Sequence, residues 1–385
     1  MAIEAILEQC RALVEDPSSF EAVDRWKAAH PGGRAVGCFP VYSPAELVHA
    51  AGMLPVGVFG GGNEIEIAHA DSRFQSFICS IIKSTLELGL TGRMKILDGM
   101  LFQNICDPAR NLASIFKRNF PDMFIEYLHL PQNLGSPRGI EYLAAEYRRV
   151  LRALEGWTGQ PITDAALRAS IGWYNRTRAL VRALYQVRAE APQLLSTVEL
   201  YTLSRAGVLV GPEAHAQLLE GALATVWDRV VKPKDRLRVV LEGSFCEQPP
   251  LGLIEGIEEA GCYILDDDFL LGWRWFSQDV EVDGDPVAAL ARGYADRSVY
   301  SAVKHDLREP KAKHLLDKVR TLKADAVIIL APKFCEPALF DYPLYRKALE
   351  EAGILHLFLE FEEKMWIFDR ARTEVETFVE SMLFD

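Results

Sequence analysis

Short, continuously apolar runs recur along the chain, and each is followed by a stretch whose apolar positions return every three or four residues. Arg34-Ala-Val-Gly-Cys-Phe39 is the first such run; its lack of alternation predicts a strand buried on both faces. Ser43-Pro44 then opens a helix, with Ser43 as N-cap, Pro44 at the first helical position and Glu46 in the first turn, and Gly52 closes it before the strand Leu54-Pro-Val-Gly-Val58. The pattern repeats as Lys95–Asn104, a helix over Ala109–Arg118 and Met123–His129. It repeats again as Arg236–Glu242, a helix to Ala260 and Cys262–Leu265, and finally as Ala326–Leu330, a helix from about Tyr342 to Glu351 and Ile354–Leu359. From about 138 to 230 helical periodicity takes over, with Thr163 capping a helix entry, and the N-terminus reads as one amphipathic helix over about 2–28. Strands alternating with helices predict parallel sheets covered on both faces. The expectation is an α/β chain: an N-terminal helix (1–29), two doubly wound parallel-sheet lobes (30–137 and 235–385) and a helical segment between them (138–234).

Composition narrows the function. The chain has 385 residues, 49% hydrophobic and 25% charged, which is globular usage. Its 42 basic against 54 acidic side chains leave a net charge of −12, so nucleic acid is not an expected partner. An acid at Glu4 and no basic, apolar leader argue against export. The apolar run 324–331 is far short of the ~20 residues that cross a bilayer. A cytoplasmic protein without a membrane partner is expected.

Seven cysteines, an odd number, do not suggest a disulfide framework. Four of them, Cys38, Cys106, Cys246 and Cys335, fall at or just after the end of a predicted strand, shortly before a Pro and a helix start. Ligands of open α/β sheets bind beyond the strand C-termini, and helix N-termini favour the thiolate that iron or zinc requires. The alternative is that these are small core residues at crowded strand ends. No C-x-x-C occurs, so a metal site would have to be assembled from distant segments. Cys79 falls in a predicted helix over Ser76–Lys83 and reads as core by periodicity, while Cys10 and Cys262 read as packing. Asp266-Asp-Asp268 is either a hard-cation site or a solvated acid cluster at a strand end. A phosphate-binding G-x-x-x-x-G-K-[ST] loop, a dinucleotide fingerprint and an H-E-x-x-H pair do not occur in the sequence.

The segment Gly37-Cys38-Phe-Pro40-Val-Tyr-Ser-Pro44-Ala-Glu46-Leu-Val-His-Ala50-Ala51-Gly52-Met-Leu-Pro55 resembles the N-terminal signature of the 2-hydroxyacyl-CoA dehydratase and benzoyl-CoA reductase family. Cys79, Cys106-Asp107 followed by Arg110, Lys333-Phe-Cys335-Glu-Pro337, Gly353-Ile and Leu-Glu360 extend the resemblance over nearly the whole chain. Length and wording are most similar to the smaller catalytic-type subunits of the reductase branch. The resemblance implies two related subunits holding iron–sulfur clusters of the 4Fe–4S type, single or bridged as a double cubane. It implies thiolates from Cys38, Cys79 and Cys335, then Cys106, with Cys246 resting on its position alone. It also implies ATP-hydrolysing iron–sulfur activator subunits, a ferredoxin upstream and an aromatic acyl-CoA substrate. The implied reaction is single-electron dearomatisation of benzoyl-CoA to a cyclic diene thioester. The alternatives are radical dehydration of a 2-hydroxyacyl-CoA, or a non-catalytic cluster carrier. His49, His69 and Tyr42 are candidate proton donors. Arg110, Lys117 and Arg118 are candidate partners for the CoA phosphates, although a solvated helix face is the other reading. One departure stands out: Arg372-Thr-Glu374 places Glu374 where family members often carry Arg.

Overall fold

The computed structural model describes residues 2–14, 20–40, 42–62, 65–244, 246–269, 277–297, 302–304, 309–362, 365 and 367–384. Helices α1 (Ile3–Val14) and α2 (Glu21–Ala29) replace the single N-terminal helix expected, and Pro17 of the intervening Asp16-Pro-Ser-Ser19 lies outside the described residues. The first lobe continues as β1 (Ala35–Cys38), α3 (Ala45–Ala50), β2 (Leu54–Gly57), α4 (Ser80–Leu90), β3 (Gly99–Gln103), α5 (Asp107–Asn119) and β4 (Phe124–Leu128). Then come α6 (Pro137–Thr158), α7 (Asp164–Glu190), α8 (Thr197–Ala206) and α9 (Pro212–Val226). The second lobe is β5 (Leu237–Glu242), α10 (Leu251–Glu259), β6 (Cys262–Asp266), α11 (Pro286–Arg292), α12 (Lys313–Leu322), β7 (Ala326–Pro332), α13 (Glu336–Glu351), β8 (Leu355–Phe361) and α14 (Asp369–Phe384).

All eight expected strands form, and every pairing between them is parallel. Their order is β2-β1-β3-β4 in one sheet and β6-β5-β7-β8 in the other. The two sheets therefore repeat one topology, with β5 in the place of β1 and β7 in the place of β3. In each, the order reverses between those two central strands, the position where such sheets bind ligands beyond the strand C-termini. The central strands β1, β3 and β7 are buried along their length and β5 at every position but Arg238, whereas the edge strands β4 and β8 are only partly covered.

Two local expectations are corrected. The helix after β1 starts at Ala45 with Pro44 at the N-cap, and Ser43 Oγ donates instead to the carbonyl of Phe39 at 2.7 Å. The segment Arg93–Ile96 forms a 3-10 turn, so β3 begins only at Gly99.

The helical segment is not a mere spacer. Helix α7 packs on α3 of the first lobe and on β6 of the second, and one buried ion pair holds each contact. Arg178 Nη1 donates to Glu46 Oε1 at 2.7 Å, and Arg188 Nη2 to Asp267 Oδ2 at 2.6 Å; all four groups are almost fully enclosed. Interleaving goes further. Helix α11 lies in the second half of the chain yet packs on α6 and joins the first lobe's core, while α1 packs against α8 and α9 in the second.

Stripping one partner from a buried pair leaves an uncompensated charge, which costs about 3–5 kcal/mol. Arg188→Met alone should lose roughly that much in chemical denaturation, whereas Arg188→Met with Asp267→Leu should recover most of it. Costs that simply add would show that the two groups are not coupled.

Candidate functional site

Three of the thiols stand at the N-caps of helices. Cys79 caps α4, Cys106 caps α5 and Cys335 caps α13. Cys106 and Cys335 follow the central strands β3 and β7, one in each lobe, at equivalent places in the repeat. Cys79 is the correction: α4 begins at Ser80 rather than Ser76, which turns an expected core cysteine into a helix cap. Cys246 follows Gly243 and Ser244 beyond β5. Gly243 has φ +113°, and a Cβ there would meet the carbonyl of Leu330 at 2.8 Å, so the turn out of β5 requires glycine. Its amide and that of Ser244 donate to Asp268, at 2.8 and 3.2 Å, which fixes the departing loop.

These four thiols are electrostatic neighbours of one another. Cys246 has Cys335, Cys79 and Cys106 as electrostatic neighbours; Cys79 has Cys335 and Cys106; Cys335 has Cys106. Hydrogen bonds tie the same seam. Glu247, next to Cys246, accepts from Ser80 Oγ and from the Ile81 amide (3.3 Å), so a carboxylate of the second lobe caps the helix that Cys79 begins. A pocket of about 230 Å3 opens beside it, lined by Cys106 and Asp107 from one lobe and by Glu336, Pro337 and Phe340 from the other.

Cys38 stands apart. It is still inside the ladder, paired with Gly57 and Leu101, and its Sγ lies 3.8 Å from the carbonyl of Val36. Its electrostatic neighbour is Glu46, not another thiol. Cys38 is the topological equivalent of Cys246, but Cys246 has left its strand and Cys38 has not. Cys10 and Cys262 are buried in the second lobe's core, as packing predicts.

Helix N-termini were expected to favour the thiolates, but burial outweighs them. Desolvation raises all four thiols, Cys106 to about 11, and the neighbouring sulfurs and Glu247 add to the rise at Cys79, Cys246 and Cys335. The opposing pull is visible: the amides of Ile82, Ala109 and Ala338, at the third position of each helix, lower Cys79, Cys106 and Cys335. Among the described residues no three His, Cys, Asp or Glu side chains converge as the ligands of a single ion do. A cluster that takes each thiolate on a different iron fits a set of separated soft donors, and metal binding itself drives off thiol protons.

The remaining candidates are dispersed. His49 contacts Ser170 Oγ at 3.0 Å and Glu213 Oε1 at 3.2 Å, with burial lowering its pKa against the opposing pull of Glu213. His69 is largely exposed and paired with Glu87 at 2.7 Å. Tyr42 is buried with φ 62° and meets Tyr294 edge-on at 5.0 Å; Tyr294, on a π-helical turn Gly293–Arg297, lines the pocket. Arg110 lies in the first turn of α5, beside Cys106, but Lys117 and Arg118 are in its last turn, roughly 10 Å along the axis, so the three do not form one patch. Asp266-Asp-Asp268 is not a solvated cluster: Asp267 and Asp268 are buried, one on Arg188 and the other on the β5 loop. Glu374 pairs with Arg370 at 2.8 Å on the outer face of α14. Glu247, Tyr294 and Phe334, which adopts φ 63° just before Cys335, escaped the sequence reading.

A family model described as 2-hydroxyglutaryl-CoA dehydratase, D-component, matches residues 40–382. The chain belongs to this family. It is 41% identical to a benzoyl-CoA reductase subunit of Thauera aromatica over 99% of both chains. It is 32% identical to lactoyl-CoA dehydratase subunit beta of Anaerotignum propionicum, again over 99% of both. It is also 29% identical to (R)-2-hydroxyglutaryl-CoA dehydratase subunit beta of Acidaminococcus fermentans, over 99% of this chain and all of that one. Family membership agrees with the signature around Cys38 and makes the chain a relative of acyl-CoA reductase and dehydratase subunits. Among the described residues no helix is long and apolar enough to cross a membrane.

Buried thiols make stability fall at high pH. A thiol whose folded pKa exceeds its unfolded value, about 8.5, holds its proton more tightly in the folded state, so its contribution is complete below that pH and is lost as pH rises through the folded value. The metal-free protein should therefore lose stability progressively from about pH 9 toward 12, given Cys106 at about 11 and Cys38 at about 12. Urea midpoints measured across this range should fall, and less steeply in Cys38→Ala; an unchanged slope would contradict the assigned burial.

Proposed function

We propose that this chain is the iron–sulfur subunit of an acyl-CoA reductase of the benzoyl-CoA type, holding a 4Fe–4S cluster through Cys79, Cys106 and Cys335. The observation that carries the reading is that helix-capping thiols from both lobes are electrostatic neighbours along one seam, beside a pocket lined from both lobes. The similarity to a benzoyl-CoA reductase subunit over 99% of the chain supports the reductase reading over dehydration. When bound, the cluster supplies single electrons at low potential to an acyl thioester beside it.

The chain's own residues provide the surroundings for that transfer. Burial of Cys79, Cys246, Cys335 and Glu247 keeps water from that part of the seam, and a dry site protects a strongly reduced intermediate. Ile105, Val303, Tyr294 and Phe340 give the pocket apolar walls, with room for a ring-sized acyl group, so the CoA portion lies outside it. Arg110, exposed at the start of α5, is placed to meet a phosphate there. ATP hydrolysis belongs to partner subunits fed by a ferredoxin, since this sequence has no phosphate-binding loop. The relatives are themselves named as subunits, which supports a larger related partner that closes the seam.

Iron and sulfide analysis of protein purified without air tests the assignment. Cys79→Ala and Cys335→Ala should each lose most of the iron, whereas Cys10→Ala, Cys262→Ala and Cys38→Ala should keep it. Equal iron in all five would overturn it. The complex reconstituted with its partners should consume benzoyl-CoA with stoichiometric reductant and leave a 2-hydroxyacyl-CoA unchanged. Dehydration without net reductant would favour the dehydratase reading.

A further inference from the structure

Cys246 differs from the three capping cysteines. It has no helix amide of its own; it is buried in the loop that Gly243 and Asp268 set, and its sulfur neighbours are all three of the others. Glu247 ties Cys246 to Cys79 by holding the α4 N-terminus, and Cys106 lines the pocket together with Glu336 and Pro337, the two residues that follow Cys335. Two thiols from each lobe thus surround one seam, and the donor count matches a 4Fe–4S cluster with every iron bound to protein.

We infer that Cys246 is the fourth thiolate, so that no iron of this chain has an open position for substrate. This rests on the proposed cluster and deepens it. A saturated cluster takes up an electron and passes it on without forming a bond to the acyl group. The thioester is then held by the pocket walls and the partner subunit, not by iron of this chain. The fourth thiolate also adds a negative charge in a seam that already holds Glu247, which makes the cluster more strongly reducing than one on three thiolates.

The test uses the full chain purified without air, compared with Cys246→Ala and Cys246→Ser. The wild type should resist limited ferricyanide oxidation without a 3Fe–4S signal in electron paramagnetic resonance, and cyanide should leave the spectrum of the reduced cluster unchanged. Cys246→Ala should bind its cluster on three thiolates, lose about one iron in four on oxidation, show the 3Fe–4S signal, respond to cyanide and have a less negative midpoint potential. Cys246→Ser, whose hydroxyl can still bind iron, should retain all the iron with an altered spectrum, which separates lost ligation from lost folding. A wild type that already releases one iron and responds to cyanide, with both variants indistinguishable from it, would overturn the fourth ligand while leaving the cluster intact. A wild type with no iron would overturn the proposed function itself.

Discussion

The geometry of the seam depends on how α7 is held. Arg178 and Arg188 lie ten residues apart on one helix, about 15 Å at ~1.5 Å per residue, and each sends its guanidinium into a different lobe. An apolar pair of equal volume would bind the helix about as strongly. A guanidinium fork also fixes rotation and register, because its donors meet a carboxylate in few orientations. The thiols of both lobes can meet only if the lobes are held at one angle, and a helix clamped to both supplies that angle. The exchange of α1 and α11 between the two cores works in the same direction, since neither lobe completes its packing without the other's chain.

Within the seam, opposing effects act on each capping sulfur. The helix amides pull toward the thiolate and desolvation pushes away from it, and desolvation wins at every position. The metal-free site is therefore made of protonated, weakly nucleophilic thiols. A bound metal tips the balance by displacing the protons, after which the same dryness resists added electrons and makes them strongly reducing when they arrive. One property, low solvent access, thus explains both the high thiol pKa values and the fitness of the site for low-potential chemistry.

How much of this was legible in the sequence follows from what each signal depends on. The strands were, because central strands buried on both faces must be continuously apolar, as the runs at 35–38 and 326–332 are. Cys106 and Cys335 were legible for a related reason: Pro just after the cysteine marks a helix start, and the preceding strand puts that start at the binding end of the sheet. Cys79 was legible only through the family resemblance; periodicity hid it, because the apolar pattern of Ser76–Lys83 runs through the true helix start and no Pro marks it. The separation of Cys38 from Cys246 depends on whether the residue lies inside the ladder or beyond it, a matter of strand length that composition does not record. Glu247 was invisible because its partners, Ser80 and Ile81, are remote in sequence and lie in the other lobe.

The relatives include both a reductase and dehydratases over nearly the whole chain, so the fold and seam alone do not choose the reaction. The proposed choice rests on the similarity to the reductase subunit and on the aromatic part of the pocket. A site for a 2-hydroxyacyl group needs a polar side chain at the hydroxyl, because a hydroxyl buried without a partner loses its hydration uncompensated. Here the lining is mixed: Lys311 and Asp341 are joined to each other at 2.6 Å, Asn104, Asp107, Gln132 and Glu336 add further polar groups, and the face toward Tyr294 and Phe340 is aromatic. Under the proposed reading a flat ring rests against this aromatic face by contact. Tyr42, enclosed behind the pocket against Tyr294, keeps its positive φ because the surrounding packing imposes it: a bulky residue persists in that region only under such constraint.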